Sequence, residues 1–316
     1  MQIVIDNSVD IEGARAWLVT HKEDETLSWP ALGKLTDVAD STLSLFASGS
    51  YRGSNEKVAG KVLAYRARLD VQAKIGAQAP AVPSWYETQT ATQLTGLLQY
   101  AQTGRIVLIV TAPGIGKTRV AERLADADPN VWLATMSPAT AGVATMASEV
   151  AEAIGLGEIT GSPQQLSRKI RAHISGKKGL LIIDEAQELN DKALNEIRGW
   201  HDRTKVGVAL LGNDKVVGQL DSRKSALAQV SSRFSYRHVQ YEPLPGDIEA
   251  LLSAWSVTDA EQATFLRKIG ALPGALRELT HILEIASLTA SGAGQPISIA
   301  HLRDAAKRRN FRAGGR

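Results

Sequence analysis

Residues 105–118, RIVLIVTAPGIGKT, limit the folds open to this chain more than any other passage. Residues 106–111 are aliphatic or β-branched without polar alternation, the pattern of a strand covered on both faces. The run breaks into a loop of small residues, and the amphipathic segment TRVAERLADA follows at once. Gly114 and Gly116 fall where backbone N–H groups must converge on one point with no Cβ in the way. Such a ring of donors, joined to the positive end of a helix starting near Lys117, is a receptor for phosphate. Lys117 is spaced to reach the β- and γ-phosphates of a nucleotide, and the Thr118 hydroxyl to hold Mg²⁺. The expected cradle is Thr111, Ala112, Pro113, Gly114, Ile115, Gly116, Lys117, Thr118 and Arg119. One position departs from the pattern G-x-x-x-x-G-K-[ST]: Thr111 stands where the first glycine belongs. That puts the geometry at the start of the loop in question, but not the lysine and hydroxyl that carry charge and metal.

A loop of this kind needs acid from a second strand, and GLLIIDEAQEL supplies it. Asp184 ends the apolar run, spaced to bind Mg²⁺ through water, and Glu185 follows as the group that polarises an attacking water. The plain alternative for an isolated Asp-Glu pair is a solvated acidic turn; the upstream loop and the strands between favour the nucleotide. Gln187 and Glu188 read as neighbours on the next helix, not as chemical groups. VGVALLGN ends in Asn213, at a strand tip where it could orient water beside the γ-phosphate.

RIVLIVT, NVWLATM, GLLIIDE and KVGVALLGN read as buried parallel strands separated by helices such as TRVAERLADA and TAGVATMASEVAEAIGL. The expectation is an α/β fold with a doubly wound parallel sheet. From about Pro243 the strands stop and four helical stretches follow, a C-terminal helical lid, with Thr258 and Glu261 placed for a capping box. Arg277 in LPGALRELT has the place on that lid to sense the γ-phosphate. A further arginine is expected from a neighbouring subunit. Arg233 in SSRFSYR, at a helix end after the Asn213 strand, is the first choice, with Arg237 and Arg223 as rivals; a solvated surface arginine is the plain alternative for each.

The clearest boundary is AKIGAQAPAVPS, where small residues with Pro80 and Pro83 interrupt periodicity. It divides the chain into a helical domain over 1–72, a linker over 73–84, an α/β core over 85–242 and the lid with a basic tail over 243–316. Within the first domain, SWPALGKLTDVADSTLSLFASG has the shape of helix, turn, helix. Asp40 or Ser41 can cap the second helix and Gly49 can end it. In helix-turn-helix geometry that second helix enters the major groove of DNA, with Ser41, Thr42 and Ser44 near its exposed start. Paired helices are also common as plain packing units. Further candidates for DNA are Arg168, Lys169 and Arg171 on a helix capped by Ser162 and opened by Pro163, with Lys177 and Lys178 just beyond. A solvated basic face is the alternative there.

The net charge is only +3, yet HLRDAAKRRNFRAGGR carries Arg303, Lys307, Arg308, Arg309, Arg312 and Arg316 against Asp304 alone. Such an end suits an anionic partner, or is a solvated frayed tail. The chain has no cysteine, which excludes disulfides, thiolate metal sites and cysteine nucleophiles. Its six histidines form no metal-like cluster and read as surface or capping residues. The six tryptophans read mainly as packing residues, not as stacking platforms for bases. No run approaches a membrane span, and MQIVIDNSVDIEGARAW has acids where a secretory signal needs basic residues, so a cytoplasmic protein is expected.

The series of loop, Asp-Glu strand, asparagine-tipped strand, SRF arginine and GALR lid resembles the AAA+ ATPases. ETQT over 87–90, NVWLATMSP, GLLIIDEA, LLGN, LPGALR and, in the N-terminal helices, LFASGSYRGSNEKV narrow this to a resemblance to the Mu transposition B protein family and its prophage relatives. The similarity runs from the N-terminal helices through about Ala290. It implies an AAA+ P-loop NTPase core with ATP and Mg²⁺ as cofactors, and binding to double-stranded DNA without sequence preference. It further implies a homo-oligomeric helical filament on target DNA in the ATP state, recruitment and stimulation of a transposase, and removal from DNA near the transposon, which gives target immunity. Two other readings share parts of the pattern. A helicase loader or replication initiator would keep the ATP site and bind a helicase; a helix-turn-helix repressor would leave the nucleotide site a degenerate switch.

Overall fold

The computed structural model describes residues 9–78, 83–221, 231–272 and 274–309. The chain divides into two compact units, residues 1–80 and 81–316.

The first unit is all-helical: α1 (Ile11–Asp24), α2 (Trp29–Thr36), α3 (Asp40–Ala47) and α4 (Asn55–Gln78). Leu18, Leu32, Leu43, Phe46, Val62 and Tyr65 form its core. Ser28 caps α2, with Pro30 in the first turn where its missing N–H costs nothing. The turn between α2 and α3 passes through Asp37 in the left-handed region, φ 55°. The expected helix pair is present, but its cap differs. Ala39 holds the N-cap position of α3, while Asp40 is already helical and its carboxylate accepts the N–H of Ser41. Gly49 does end α3, at φ 74°, with the Ser50 N–H turned back to the Leu45 carbonyl.

The start of the expected linker is helix. α4 continues through residues 73–78, since nothing in AKIGAQ stops a helix. Residues 79–82 of that stretch lie outside the described residues.

The second unit holds a five-stranded sheet in the order β2–β3–β4–β1–β5, every neighbouring pair parallel. The elements run α5 (Gln89–Gln102), β1 (Ile106–Thr111), α6 (Lys117–Ala127), β2 (Val131–Thr135), α7 (Val143–Ala153), α8 (Pro163–Ile174), β3 (Leu180–Asp184), α9 (Asp191–Thr204), β4 (Gly207–Gly212), α10 (Asp214–Asp221) and β5 (Phe234–Gln240). Alternation along the strands makes two cores. Leu181, Ile183, Val208 and Leu210 face α7, α8 and α9. Leu180, Ile182, Ala209 and Leu211 face α5 and α6. Parallel strands covered on both faces leave their C-terminal ends as the open edge where ligands bind.

The strand β5 was not legible in the sequence. It is an edge strand, and in FSYRHVQ only His238 and Gln240 are buried, so the apolar run that marks β1 is missing.

The lid follows as α11 (Pro245–Ala254), α12 (Ala260–Gly270), α13 (Ala275–Gly292) and α14 (Ile299–Arg308), around Leu251, Leu266, Leu279, Ile282, Leu283 and Leu302. Asp259, not Thr258, caps α12, its carboxylate accepting the Gln262 N–H. Thr258 lies one residue too early to reach that donor.

A buried polar cluster joins lid to core. Asp247, fully buried at the start of α11, accepts from the Thr90 N–H and hydroxyl on α5 and from the Leu244 N–H. Gln240, at the end of β5, donates to the Thr90 hydroxyl and to the Glu242 carbonyl. β5 and α11 are thus tied at one point to α5, some 150 residues earlier. Of the tryptophans, Trp200 is fully buried, donating to Ser167 and Glu196, and Trp132, on β2, is buried. Among the described residues no helix is long and apolar enough to cross a membrane.

Candidate functional site

At the C-terminal edge of the sheet, one pocket is lined by residues 111–120, by Glu185 and Asn213, by Trp85, Tyr86, Thr88 and Ala91 before and within α5, and by Leu276, Arg277, Thr280, His281 and Glu284 on α13. Every expected cradle residue is there. Gly114 and Gly116 have φ of 85° and 108°, which a side chain would strain. Gly116 is the left-handed residue preceding α6, so the first N–H groups of that helix follow directly on the loop. Thr111 does not have positive φ, so the backbone conformation here does not call for glycine. It is buried, and its hydroxyl has no hydrogen-bond partner among the described residues although it lines the pocket.

The charged groups converge as the spacing predicts. The Thr118 hydroxyl donates to Asp184 Oδ2 at 2.6 Å, and Asp184 Oδ1 accepts the Glu185 N–H at 2.8 Å. Lys117 Nζ lies 3.9 Å from Asp184 and 3.5 Å from Glu185. A buried carboxylate is tolerated because a cation and two donors surround it. Among the described residues no cluster of three or more His, Cys, Asp or Glu side chains could hold a metal ion. Thr118 and Asp184, in contact at 2.6 Å, are the pair that could hold Mg²⁺, an ion that keeps waters and takes nucleotide oxygens. The positive-φ loop, the buried hydroxyl and this lysine-hydroxyl-carboxylate set fit a nucleoside triphosphate.

The lid closes directly on the loop. A Cβ on Gly114 would come 2.3 Å from the Gly274 carbonyl and 3.0 Å from Arg277 Cβ. Arg277 lines the pocket, while its neighbour Glu278 turns to pair with Arg309 at 2.7 Å. Thr280, His281 and Glu284 were missed in the sequence, although their offsets of three, four and seven from Arg277 put all four on one helix face. Tyr86 was missed too. Burial pushes its phenol above the usual tyrosine range, a hydrogen bond with Thr280 opposes this, and the Asp247 charge adds to it.

Gln187 is a correction. It lies in a short 3₁₀ turn (Ala186–Glu188), it is buried, and its amide donates to Glu185 and accepts the Asn213 N–H. The Asn213 side chain accepts the Lys215 N–H at the start of α10.

The remaining candidates are not gathered at this site. Arg233 sits in the turn before β5, exposed and 3.8 Å from Asp202, and Arg237 stacks on Phe234; neither lines the pocket. Arg223 lies outside the described residues. On α3, Ser41 is exposed and Thr42 and Ser44 are half-buried. On α8, capped by Ser162 as expected, Arg168 and Lys169 are exposed, and Arg171 turns back to the Ser167 carbonyl. Lys177 contacts His173 and lies over Trp132, and Lys178 is exposed. The basic end is less unpaired than its sequence suggests: Arg303, Arg308 and Arg309 pair with Glu261, Asp304 and Glu278. Arg312 and Arg316 lie outside the described residues.

Residues 100–220 match the family model described as an AAA domain, and residues 232–308 that of the Mu B transposition protein, C-terminal part. The chain is 30% identical over 300 residues to the ATP-dependent target DNA activator B of Escherichia phage Mu, covering 94% of this chain and 95% of that one. It is 31% identical over 268 residues to the Mu-like prophage FluMu DNA transposition protein B of Haemophilus influenzae, covering 83% and 92%. Among solved structures, the ORC2 protein of Aeropyrum pernix shares the fold at a TM-score of 0.51 and 17% identity, over 69% of this chain and 66% of that one.

Proposed function

The chain belongs to the Mu B transposition protein family, and from that premise we propose that this AAA-type ATPase acts on target DNA in transposition. The observation that carries the reading is the closed site: lysine, hydroxyl and two carboxylates on the sheet edge, with Arg277 of the lid over the same pocket. In it Lys117 neutralises the β- and γ-phosphates, Thr118 and Asp184 hold Mg²⁺, and Glu185 polarises the attacking water. Asn213 orients that water, and Arg277 reads the γ-phosphate from the lid. Arg233, exposed and outside its own pocket, completes the site of a neighbouring subunit, so that ATP state and assembly are coupled.

The DNA contacts are of the sequence-blind, salt-sensitive kind that lysine and arginine make with phosphates. The exposed Arg168, Lys169 and Lys178 in the ATPase unit and the exposed start of α3 in the N-terminal unit supply them. The protein coats duplex DNA as an ATP-state helical filament in the host cytoplasm, recruits and stimulates the transposase, and leaves DNA near the transposon when hydrolysis is triggered.

Negative-stain imaging and co-sedimentation with duplex DNA of random sequence, under ATP, ADP and no nucleotide, test this reading. Long filaments under ATP that vanish in Lys117→Ala are expected. Discrete complexes indifferent to nucleotide would overturn it in favour of a repressor or loader.

A further inference from the structure

Glu185 is held, not free. Its backbone takes φ 54°, a conformation that costs a non-glycine residue on the order of 1 kcal/mol, and the chain turns there out of β3. Among the described residues its carboxylate meets Lys117 Nζ at 3.5 Å and the Gln187 amide. The other end of the same amide accepts the Asn213 N–H at 3.3 Å, where β4 ends. Flipping the amide would set its NH₂ against an N–H and its oxygen against a carboxylate, so the chemistry of its two neighbours fixes the orientation. Gly212 makes room for it: a Cβ there would come 2.8 Å from Gln187 Oε1. One buried side chain therefore spans the gap between the strand that carries the acidic pair and the strand that carries the asparagine.

We propose that Gln187 is a positioning residue for ATP hydrolysis, setting the orientation of Glu185 and linking it to Asn213 so that the base and the tip of β4 move together. Without this amide the nearest partner left to the carboxylate among the described residues is Lys117, the lysine needed by the phosphates. Loss of Gln187 therefore misplaces the base without removing it, and an error near 1 Å at a reacting group costs about a hundredfold in rate. The inference rests on Glu185 as the group that polarises water, which the experiment checks separately.

The test is steady-state ATP hydrolysis by the full chain with Mg²⁺ and random duplex DNA, for Gln187→Met, Glu185→Gln and the double variant. Methionine keeps the buried volume and removes the hydrogen bonds to Glu185 and Asn213, and Gln187→Ala serves if methionine lowers the melting temperature. The expected result is a kcat lower by roughly 10- to 100-fold with KM within about threefold, and a double variant no slower than Glu185→Gln alone. An unchanged or raised kcat would overturn the proposal. So would a loss shared equally by ATP binding, or a loss that multiplies in the Glu185→Gln background, as a merely structural role would give. Full turnover in Glu185→Gln alone would remove the base assignment, and this proposal with it.

Discussion

Two buried aspartates of the second unit, Asp184 and Asp247, are equally hidden from water and are held in different ways. Asp184 has a lysine at 3.9 Å, a threonine hydroxyl and one backbone donor, and it lies just behind the pocket-lining Lys117, Thr118 and Glu185. Asp247 is held by two backbone N–H groups and the Thr90 hydroxyl, neutral donors brought from two elements. The difference separates two tasks. A carboxylate whose partners are a cation and a rotatable hydroxyl can exchange them for a metal and phosphates. A carboxylate held by peptide N–H groups has no such exchange open to it, and it fixes the lid against the core.

Glu185→Gln breaks the reactive region alone. Turnover should fall by about 10²- to 10⁴-fold while ATP binding and melting temperature stay near wild type, read by steady-state kinetics and calorimetry. Asp247→Asn breaks the other region. An amide NH₂ would then face groups that are themselves donors, so stability should drop by about 2–4 kcal/mol in denaturant unfolding, with the site residues intact.

Gly114→Ala strikes where the regions touch. The left-handed φ costs about 1–2 kcal/mol, and the new methyl meets the Gly274 carbonyl, so ATP affinity should fall by roughly tenfold in a titration. Arg267→Ala, at an exposed pair with Glu249, is the control with the smallest effect, a melting shift below about 2 °C. The Arg267 guanidinium hydrogen-bonds Glu249 and holds its carboxyl below the usual range. That contribution is present above the ordinary glutamate value of about 4.3 and is lost as pH falls through the lowered one, so the difference from wild type should vanish in acid.

The same contrast explains what was legible beforehand. The loop, Asp184, Glu185 and Asn213 are local signals: apolar parallel strands read as unbroken runs, and their polar ends stand out. The Ser162 cap and Pro163 of α8 were equally plain. The Asp247 cluster depends on Thr90, 157 residues earlier, and nothing near PGDIEAL announces that contact. β5 was missed because an edge strand buries only alternate residues, and Gln187 because its meaning lies in a second strand 26 residues on.

The most direct measurement is thermal unfolding with and without Mg²⁺ and ATP, run on wild type, Lys117→Ala and Asp247→Asn together. A ligand at a hundred times its Kd adds about 2.7 kcal/mol of stability. The account predicts that Lys117→Ala, which unpairs the buried Asp184, gains little from ATP whatever its basal melting temperature, whereas Asp247→Asn melts lower and still gains from ATP. A lost ATP response in Asp247→Asn, or a wild-type ATP response in Lys117→Ala, would contradict the separation of the two regions.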